Sequence, residues 1–386
     1  MPDIKVILIG NYVHDRQESM QRFADMLLEG LVNIGLQVQR ISPRPIFGDL
    51  KPASTGLGKW LGYIDKFLIF PFKLRRLARQ EIHKGNTVFH ICDHSYSMYE
   101  KWLRDVPCII TCHDLLAIRS ARGEFRKNPT SWTGKCLQKW ICHSLKNAKA
   151  ITCVSESTAM DLRRLTGHTN DKSKIVYNGL NFPYKVIPTE QARISALNIV
   201  KQANITQKRG YMFHVGGSQW YKNRLGLLEI YSELFKMNPN PPALVIAGQP
   251  STKDCLGYIE NSPFSERVHF IGRVSNEELN DLYSGAKIFL FPSLSEGFGW
   301  PIIEAQAAGC PVVTSDIPPM NEIGGEAVTY IDPEHPTQAA ESIYEILNES
   351  PEDRAARIQH GIAHANSFSQ SNMVDNYIKE YESLLG

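Results

Sequence analysis

Three short stretches of this 386-residue chain combine glycine, charged and histidine residues in patterns suited to chemistry on a polar, anionic ligand. The richest spans residues 289–311 and reads F-L-F-P-S-L-S-E-G-F-G-W-P-I-I-E-A-Q-A-A-G-C-P. An apolar run expected to be a strand ends at Phe291, and a loop punctuated by Glu296, Gly297 and Gly299 follows. Pro301 stands where a helix would begin, a position that tolerates its missing N–H. That helix is expected over 301–308, with Gly309 as its C-terminal glycine. A glycine loop leading into a helix N-terminus presents free backbone N–H groups and the positive end of the helix dipole, which is an anion site suited to phosphates. Glu296 in the loop and Glu304 about one turn into the helix can then accept hydrogen bonds from different hydroxyls of one elongated polar ligand. The plainer interpretation is a strand–turn–helix with two solvated acids, and spacing alone does not choose between them.

The second stretch, residues 211–224, reads Y-M-F-H-V-G-G-S-Q-W-Y-K-N-R. A strand ending in Gly216–Gly217 is expected to feed a helix that begins near Asn223, a residue type favoured at N-caps. Lys222 at that junction is a mobile point charge suited to a diphosphate. Taken alone, a lysine at a helix start is usually a solvated surface residue. The third stretch, residues 108–118, reads C-I-I-T-C-H-D-L-L-A-I and places His113 and Asp114 directly after a strand. A histidine there can donate to a sugar hydroxyl or hold a carbonyl. Asp114 can orient it or cap the following turn.

These stretches need a scaffold that sets strand ends beside helix starts. Apolar β-branched runs alternate with amphipathic stretches along most of the chain, at 5–9, 37–41, 87–91, 107–111, 150–154 and 174–177, and again at 211–215, 243–247, 268–271, 287–291, 311–314 and 327–331. Short, nearly continuous apolar strands between helices imply parallel sheets covered on both faces. The alternation runs twice, so an α/β fold with two parallel-sheet domains is expected. The break falls in 178–207, where Asn178–Gly179, Pro183 and Pro188 precede a polar run up to Lys208, and the boundary is placed at about 185–208. The expected domains are 1–190 and 191–368, followed by a C-terminal segment, 369–386. Within that segment Val374, Tyr377, Ile378, Tyr381 and Leu384 recur at helical spacing over 372–384. Ligands of open parallel sheets bind beyond the carboxyl ends of the strands, so the residues just after the strands carry the most weight.

Composition removes several classes. Hydrophobic residues at 42% and charged residues at 21% exclude fibrous, collagen-like and wholly disordered chains. A net charge of +2 is not the footprint of a dedicated nucleic-acid binder, and no nucleic-acid partner is expected. The apolar run at the N-terminus is too short for a signal peptide. The longest other one, 61–72, holds Asp65 and Lys66, whereas a membrane-spanning helix needs about 20 nearly uncharged residues. The eight cysteines contain no C-x-x-C pair, which favours free thiols in a reducing cytosol over a zinc site. A cytoplasmic location is expected.

The pattern P-S-x-x-E-G-F-G-x-P-x-x-E-A at 292–305 resembles the signature of retaining glycosyltransferases of the GT-B fold, family 4 (glycosyl transferases group 1). Other segments resemble the same family in the same order along almost the whole chain. The resemblance implies two Rossmann-like domains facing across a cleft and a C-terminal helix that crosses back onto the first. It implies a donor nucleotide sugar held mainly by the C-terminal domain and an acceptor held mainly by the N-terminal one. The implied reaction moves a hexose from a UDP- or GDP-sugar to a hydroxyl of a glycan, lipid-linked or small-molecule acceptor. It keeps the α configuration and needs neither a catalytic metal nor a cofactor.

By the same resemblance His113, Lys222 and Glu296 form the catalytic set. Lys222 would contact the donor phosphates, beside Gly217, and Glu304 the ribose hydroxyls. Glu296, with Gly297, Phe298 and Gly299, would contact the transferring sugar, and His113 would reach it from the facing domain. Arg273 and Val274, in I-G-R-V-S at 271–275, would lie on the side of the base, and Gly10, Asn11 and Asp114 on the side of the acceptor. V-S-E-S at 154–157 matches a cleft-lining segment, although Ser155 also suits a helix cap. The Lys222–Asn223 pair resembles that of some mannosyl- and rhamnosyltransferases, and UDP-glucose-type donors stay open.

Two departures stand out. The first loop, G-N-Y-V-H-D-R-Q-E-S-M, lacks the usual double glycine. Where many relatives carry an arginine this chain has Gly217 or Tyr221, with Arg224 as the nearest replacement. Both suit an alternative reading, a non-catalytic glycosyltransferase-like scaffold or nucleotide-sugar-binding subunit. The joint presence of Glu296, Glu304, Lys222 and His113 argues against it. A nicotinamide oxidoreductase lacks its fingerprint, because no G-x-G-x-x-G follows an expected strand.

Charge is segregated. Residues 66–84 carry a net +5 and residues 119–149 a net +7. The first cluster adjoins Phe67, Leu68, Ile69, Phe70 and Phe72. Cations beside exposed aromatics suit peripheral contact with an anionic membrane face, here the inner face of the membrane. An ordinary solvated helix with a buried apolar stripe is the plainer alternative. A positive face would fit an acceptor on a lipid carrier or an anionic polymer.

Overall fold

A computed structural model of the chain describes residues 4–15, 17–51, 56–125, 128–168, 173–200, 210–249 and 251–386. Arg126 and Lys127 of the second basic cluster, and residues 201–208 of the polar run, lie outside them. Strands form at every expected run: β1 Lys5–Ile9, β2 Gln37–Ile41, β3 Thr87–Ile91, β4 Cys108–Cys112, β5 Ile151–Cys153, β6 Ser173–Ile175, β7 Tyr211–Gly216, β8 Ala243–Gly248, β9 Val268–Ile271, β10 Ile288–Phe291, β11 Val312–Ser315 and β12 Thr329–Ile331. The helices between them are α1 Glu18–Asn33, α2 Gly56–Ile64, α3 Phe70–Glu81, α4 Leu116–Ala121, α5 Trp132–Asn147, α6 Glu156–Thr166, α7 Thr189–Val200, α8 Arg224–Met237, α9 Lys253–Glu260, α10 Asn276–Gly285, α11 Trp300–Ala307, α12 Met320–Gly324, α13 Pro336–Leu347, α14 Pro351–Asn366 and α15 Gln370–Leu385.

The chain forms two compact units, Met1–Asn181 with Gln370–Gly386, and Phe182–Ser369. The first leaves off at Asn181, before the expected 185–208. The reason is local. Lys185 N donates to Asn280 Oδ1 at 2.9 Å and Ile187 N to Ser284 Oγ at 3.4 Å, both on α10. Helix α7 also packs on α10. The proline-bearing stretch that reads as a link is therefore part of the second unit.

In the first unit six parallel strands run in the order β2-β1-β3-β4-β5-β6. The inner strands are buried almost throughout, as their apolar runs require, while the edge strands β2 and β6 expose side chains. The returning helix α15 packs here, on α1 and β3. Its Tyr377 and Tyr381 are fully buried. Their hydroxyls reach Thr111 Oγ1 at 2.9 Å and His90 Nδ1 at 2.7 Å. Burying a large apolar side chain contributes about 1.5–3 kcal/mol, so truncating either tyrosine to alanine would weaken the helix's hold on the sheet by about that much. In the second unit the parallel order is β12-β11-β10-β7-β8-β9. Both units are Rossmann-like. Strand order reverses between β1 and β3 in one and between β7 and β10 in the other, the places where such sheets bind ligands.

Candidate functional site

At the β7–β10 reversal two loops are tied together by backbone chemistry. Residues Trp220–Lys222 make one 3₁₀ turn before α8. Leu294 N donates to Tyr221 O at 2.7 Å. Asn223 holds a left-handed backbone (φ +52°) and makes no side-chain cap. Its Nδ2 instead donates to Pro292 O at 3.1 Å. Asn223 is thus a bridge between loops and not the side-chain cap its residue type suggests. The result is that Lys222 Nζ sits 2.7 Å from Glu296 Oε1, with side chains only 15% and 10% exposed. The ammonium also lies over the rings of Phe291 and Tyr221, 5.0 and 5.6 Å from their centroids.

Gly299 stands at φ +98°, a conformation glycine takes without a Cβ penalty, and it lets the chain turn directly into α11. Pro301 falls in the first turn and Gly309 follows the last, as expected. Phe298 is buried edge-on against Trp300 and Phe368, and Gly297 is half-buried. Glu304 is buried on α11 and accepts a hydrogen bond from Tyr283 OH at 3.0 Å. Burial, together with that carboxylate, pushes the Tyr283 hydroxyl well above its ordinary pKa. The two glutamates therefore have separate partners.

Arg224, the nearest replacement for the missing arginine, is buried, with Nη1 donating to Gln249 O at 2.8 Å and Nη2 to Gly216 O at 2.7 Å, which joins the ends of β7 and β8. Its Nε is buried with no hydrogen-bond partner among the described residues. Gly217 follows β7 at the reversal. Arg273 is exposed and Val274 half-buried in the loop after β9, two strands from β7. That loop ends in a reciprocal Ser275–Glu278 cap on α10. Ser293 and Ser315, which no sequence expectation names as site residues, lie just past β10 and at the end of β11. Both bury hydroxyls with no hydrogen-bond partner among the described residues. Ser293 lies inside the P-S pattern, so position was its only signal.

At the β1–β3 reversal Asn11 Nδ2 donates to Asp93 Oδ2 at 2.5 Å, and both residues are buried. Burial alone would raise the Asp93 carboxyl, but His94, His113 and the Ser95 amide outweigh it and hold it below its usual range. Asp93 also escaped the sequence reading. Its signal was its place after β3 in H-I-C-D-H. Gly10 N donates to Ile41 O at 2.9 Å, joining the ends of β1 and β2.

His113 is buried edge-on to Phe23, with Nε2 2.7 Å from Cys92 O. A carbonyl only accepts, so Nε2 carries the proton. Burial lowers the His113 pKa and the Asp93 charge only partly offsets this, so the ring is neutral. Of the two roles open to it, His113 takes the carbonyl. Asp114 Oδ1 accepts from Leu116 N at 3.0 Å and caps the turn into α4. Ser155 caps α6 through Thr158 N at 3.1 Å. Among the described residues no group of three or more His, Cys, Asp or Glu could hold a metal ion. No helix among them is long and apolar enough to cross a membrane.

The profile described as Glycosyltransferase Family 4 matches residues 20–182, and the profile described as Glycosyl transferases group 1 matches residues 196–364. The chain belongs to this GT-B glycosyltransferase family. O-antigen chain mannosyltransferase B of Escherichia coli is 29% identical over 250 residues, covering 64% of this chain and 64% of the relative. D-inositol 3-phosphate glycosyltransferase of Corynebacterium diphtheriae is 27% identical over 282 residues, covering 69% and 63%. The chain thus aligns with a little under two thirds of the length of these curated relatives. Anabaena HepE, solved with UDP and glucose, superimposes with a TM-score of 0.68 at 14% identity, over 98% of this chain and all of that one. In this GT-B family member the signature therefore builds one feature of known geometry, a lysine and a glutamate paired across the reversal of the second sheet.

Proposed function

We propose that the chain is a retaining hexosyltransferase. It would move a hexose from a UDP- or GDP-sugar to a hydroxyl of a glycan, lipid-linked or small-molecule acceptor, forming an α-glycosidic bond. The observation that carries this is the Lys222–Glu296 pair at the β7–β10 reversal. A donor diphosphate offers Lys222 a stronger anion, and sugar hydroxyls offer Glu296 new donors. The ligand can therefore exchange for the pair at little net loss of charge pairing. As the diphosphate leaves, Lys222 and the N-terminal ends of α8 and α11 would meet its negative charge without reorganising. We assign Glu304 to the ribose hydroxyls and Arg273 and Val274 to the base. Acceptor attack on the same face, with the leaving phosphate taking the acceptor's proton, gives retention. This chemistry is proposed to run without a metal ion or cofactor. His113, protonated on Nε2 and bound to Cys92 O, is left with Nδ1 as an acceptor. Its proposed part is to receive a hydrogen bond from the transferring sugar.

The relatives' names support the reaction class, and the HepE complexes support a nucleotide-sugar donor. We place the protein in the cytoplasm, with peripheral contact of the first unit at the inner face of the membrane. One observation favours a non-catalytic scaffold instead. Both Nη groups of Arg224 are bound to carbonyls, and Lys222 is the cation assigned to the phosphates.

The test is a thermal-shift panel of UDP, GDP, ADP, dTDP and their sugars, with and without EDTA. A ligand at about 100 times its Kd stabilises by about 2.7 kcal/mol. One nucleotide family should shift the wild type, with EDTA present, and leave Lys222→Ala unmoved. No shift with any of them would support the scaffold.

A further inference from the structure

Strand β7 carries a histidine with one nitrogen unspent. His214 is fully buried, and its Nδ1 lies 2.9 Å from Leu290 O on β10. A carbonyl only accepts, so Nδ1 carries the proton. Burial pulls the ring down to a pKa of about 3, against the bond to Leu290 and helped by the charges of Arg224 and Lys222. The imidazole is therefore neutral, and Nε2 is a lone-pair acceptor. That atom is buried with no hydrogen-bond partner among the described residues. A buried acceptor left unmet is destabilising, so a donor that reaches it is favoured. The proposed transfer chemistry gives this atom no part.

The surroundings of Nε2 name the donor. His214 and Gly216 share one face of the sheet, since successive residues of a strand alternate. A Cβ on Gly216 would fall 3.5 Å from His214 Nε2 and 3.4 Å from Lys222 Cδ. The lone pair and the lysine stem thus border the same glycine. The two are also joined through Phe291. The His214 ring stacks on it with centroids 6.4 Å apart, and the Lys222 ammonium lies 5.0 Å from the centroid of the same ring. The other nearby cation is fixed, because both Nη groups of Arg224 are bound, to Gln249 O and Gly216 O. Lys222 is not fixed in this way. It spends one proton on Glu296, at 2.7 Å, and an ammonium on a flexible stem has three to give. An ionised phosphate brings only acceptors, so it cannot satisfy Nε2 itself.

We infer that His214 is the positioning residue of Lys222. When a diphosphate and sugar hydroxyls take the place of the Lys222–Glu296 contact, Nε2 accepts one proton of the ammonium and leaves the others facing the phosphate oxygens. A lysine held from behind is a directed donor and no longer only a mobile point charge. It can then meet the departing charge without reorganising. Gly216 keeps the space between the two side chains clear, which any Cβ there would crowd. His214 touches no ligand in this arrangement and acts only through Lys222. The inference rests on the proposed donor site at the β7–β10 reversal.

Two measurements on the full chain test this, and the first needs no ligand and leaves His214 in place. The nitrogen-15 resonance of His214 Nε2, identified by its loss in His214→Asn, reports hydrogen bonds made to that atom. Glu296→Ala frees the ammonium, so the resonance should move upfield, and adding Lys222→Met should return it. A resonance unmoved by Glu296→Ala, or one that stays moved after Lys222→Met, would overturn the pairing. The second measurement is calorimetric titration with inorganic diphosphate. Asparagine sets an amide nitrogen where Nδ1 stands and nothing where Nε2 stands, whereas glutamine can set its oxygen where Nε2 stands. His214→Asn should weaken diphosphate binding about tenfold, and His214→Gln should stay within about threefold of wild type. Once Lys222→Met is present, His214→Asn should have no further effect. An undiminished effect there would mean that His214 meets the ligand directly or serves only the fold, and the positioning role would fall. Titrations of the wild type with UDP and GDP are read separately, so a failed nucleotide-sugar reading leaves the lysine–histidine result standing.

Discussion

Each sheet reverses its strand order once, and the two reversals are spanned by different chemistry. Between β1 and β3 the span is Asn11–Asp93, a buried amide on a buried carboxylate. That contact cannot be given up without leaving a charge short of partners, at a cost above the usual 1–3 kcal/mol for a buried polar group. Between β7 and β10 the span is Lys222–Glu296, a partly exposed ion pair carried on two loops. In the proposed function it is traded for a diphosphate and a set of hydroxyls. On that reading one topology produces a fixed wall in the first unit and an exchangeable contact in the second. The sharpest break of this contrast is Lys222→Ala. It should cut sugar transfer about 10²–10³-fold, the usual loss for one preorganised charge-stabilising donor, while the melting temperature without ligand stays nearly unchanged. A comparable loss of ligand-free stability would show that the pair is structural after all.

The next largest effect comes from acid and touches both units. His90 in β3 and His214 in β7 are fully buried, and burial pulls each down to a pKa of about 3. An unfolded histidine titrates near 6.5. Above about pH 6.5 both states are neutral, so neither histidine makes stability depend on pH. Between about 6.5 and 3 the unfolded chain binds protons that the folded chain refuses. Stability then falls by about 1.4 kcal/mol per pH unit for each histidine. At pH 5.5 the two together should cost about 3 kcal/mol, read from urea midpoints across the range. The contrast between the units reappears here. Both nitrogens of His90 have partners, Tyr381 and Thr111, whereas His214 uses only Nδ1, on Leu290 O. His214→Phe should therefore remove its share of the pH slope at less cost to neutral stability than His90→Phe. Equal costs would mean that the hydrogen-bond partners contribute nothing.

Much of this was legible in the sequence, for identifiable reasons. Strands appeared where β-branched runs met glycine, proline or asparagine, because a buried parallel strand leaves no other composition. Gly299 and Gly309 were legible because a helix turned so abruptly at both ends needs glycine there. That Lys222 and Glu296 touch each other was not legible, since it depends on how two loops 74 residues apart are tied. Asn223 misled for a related reason. Its residue type favours capping, but a left-handed backbone turned its amide onto Pro292 O. The boundary reads as 185–208 because prolines mark breaks, and only the contacts with α10 show that the described part of this stretch belongs to the second unit. Asp93 carried no motif, only its place two residues after the expected strand at 87–91, and its contact with Asn11 depends on β1 and β3 lying side by side.

A smaller effect tests the fixed wall. Asp93→Ala removes the acceptor of both Asn11 Nδ2 and Ser95 N. It should destabilise by about 1–3 kcal/mol, seen as a lower urea midpoint. The nucleotide-induced thermal shift, which the proposed function assigns to the other reversal, should survive intact. Loss of that shift along with stability would join the two reversals in one function and dissolve the contrast.

The smallest effect separates the two glutamates of the second unit. Tyr283→Phe takes from Glu304 one hydrogen-bond donor while the ring stays in its buried place. A typical hydrogen bond contributes about 0.5–1.5 kcal/mol net, so stability should drop only slightly. If Glu304 holds the ribose, its carboxylate becomes less firmly oriented and KM for the donor should rise a few-fold. In the proposed function the chemical step rests on Lys222 and Glu296, so kcat should hardly move. Steady-state kinetics with the donor varied gives both numbers from one experiment. A fall in kcat with KM unchanged would move Glu304 from the nucleoside to the reacting sugar, beside Glu296.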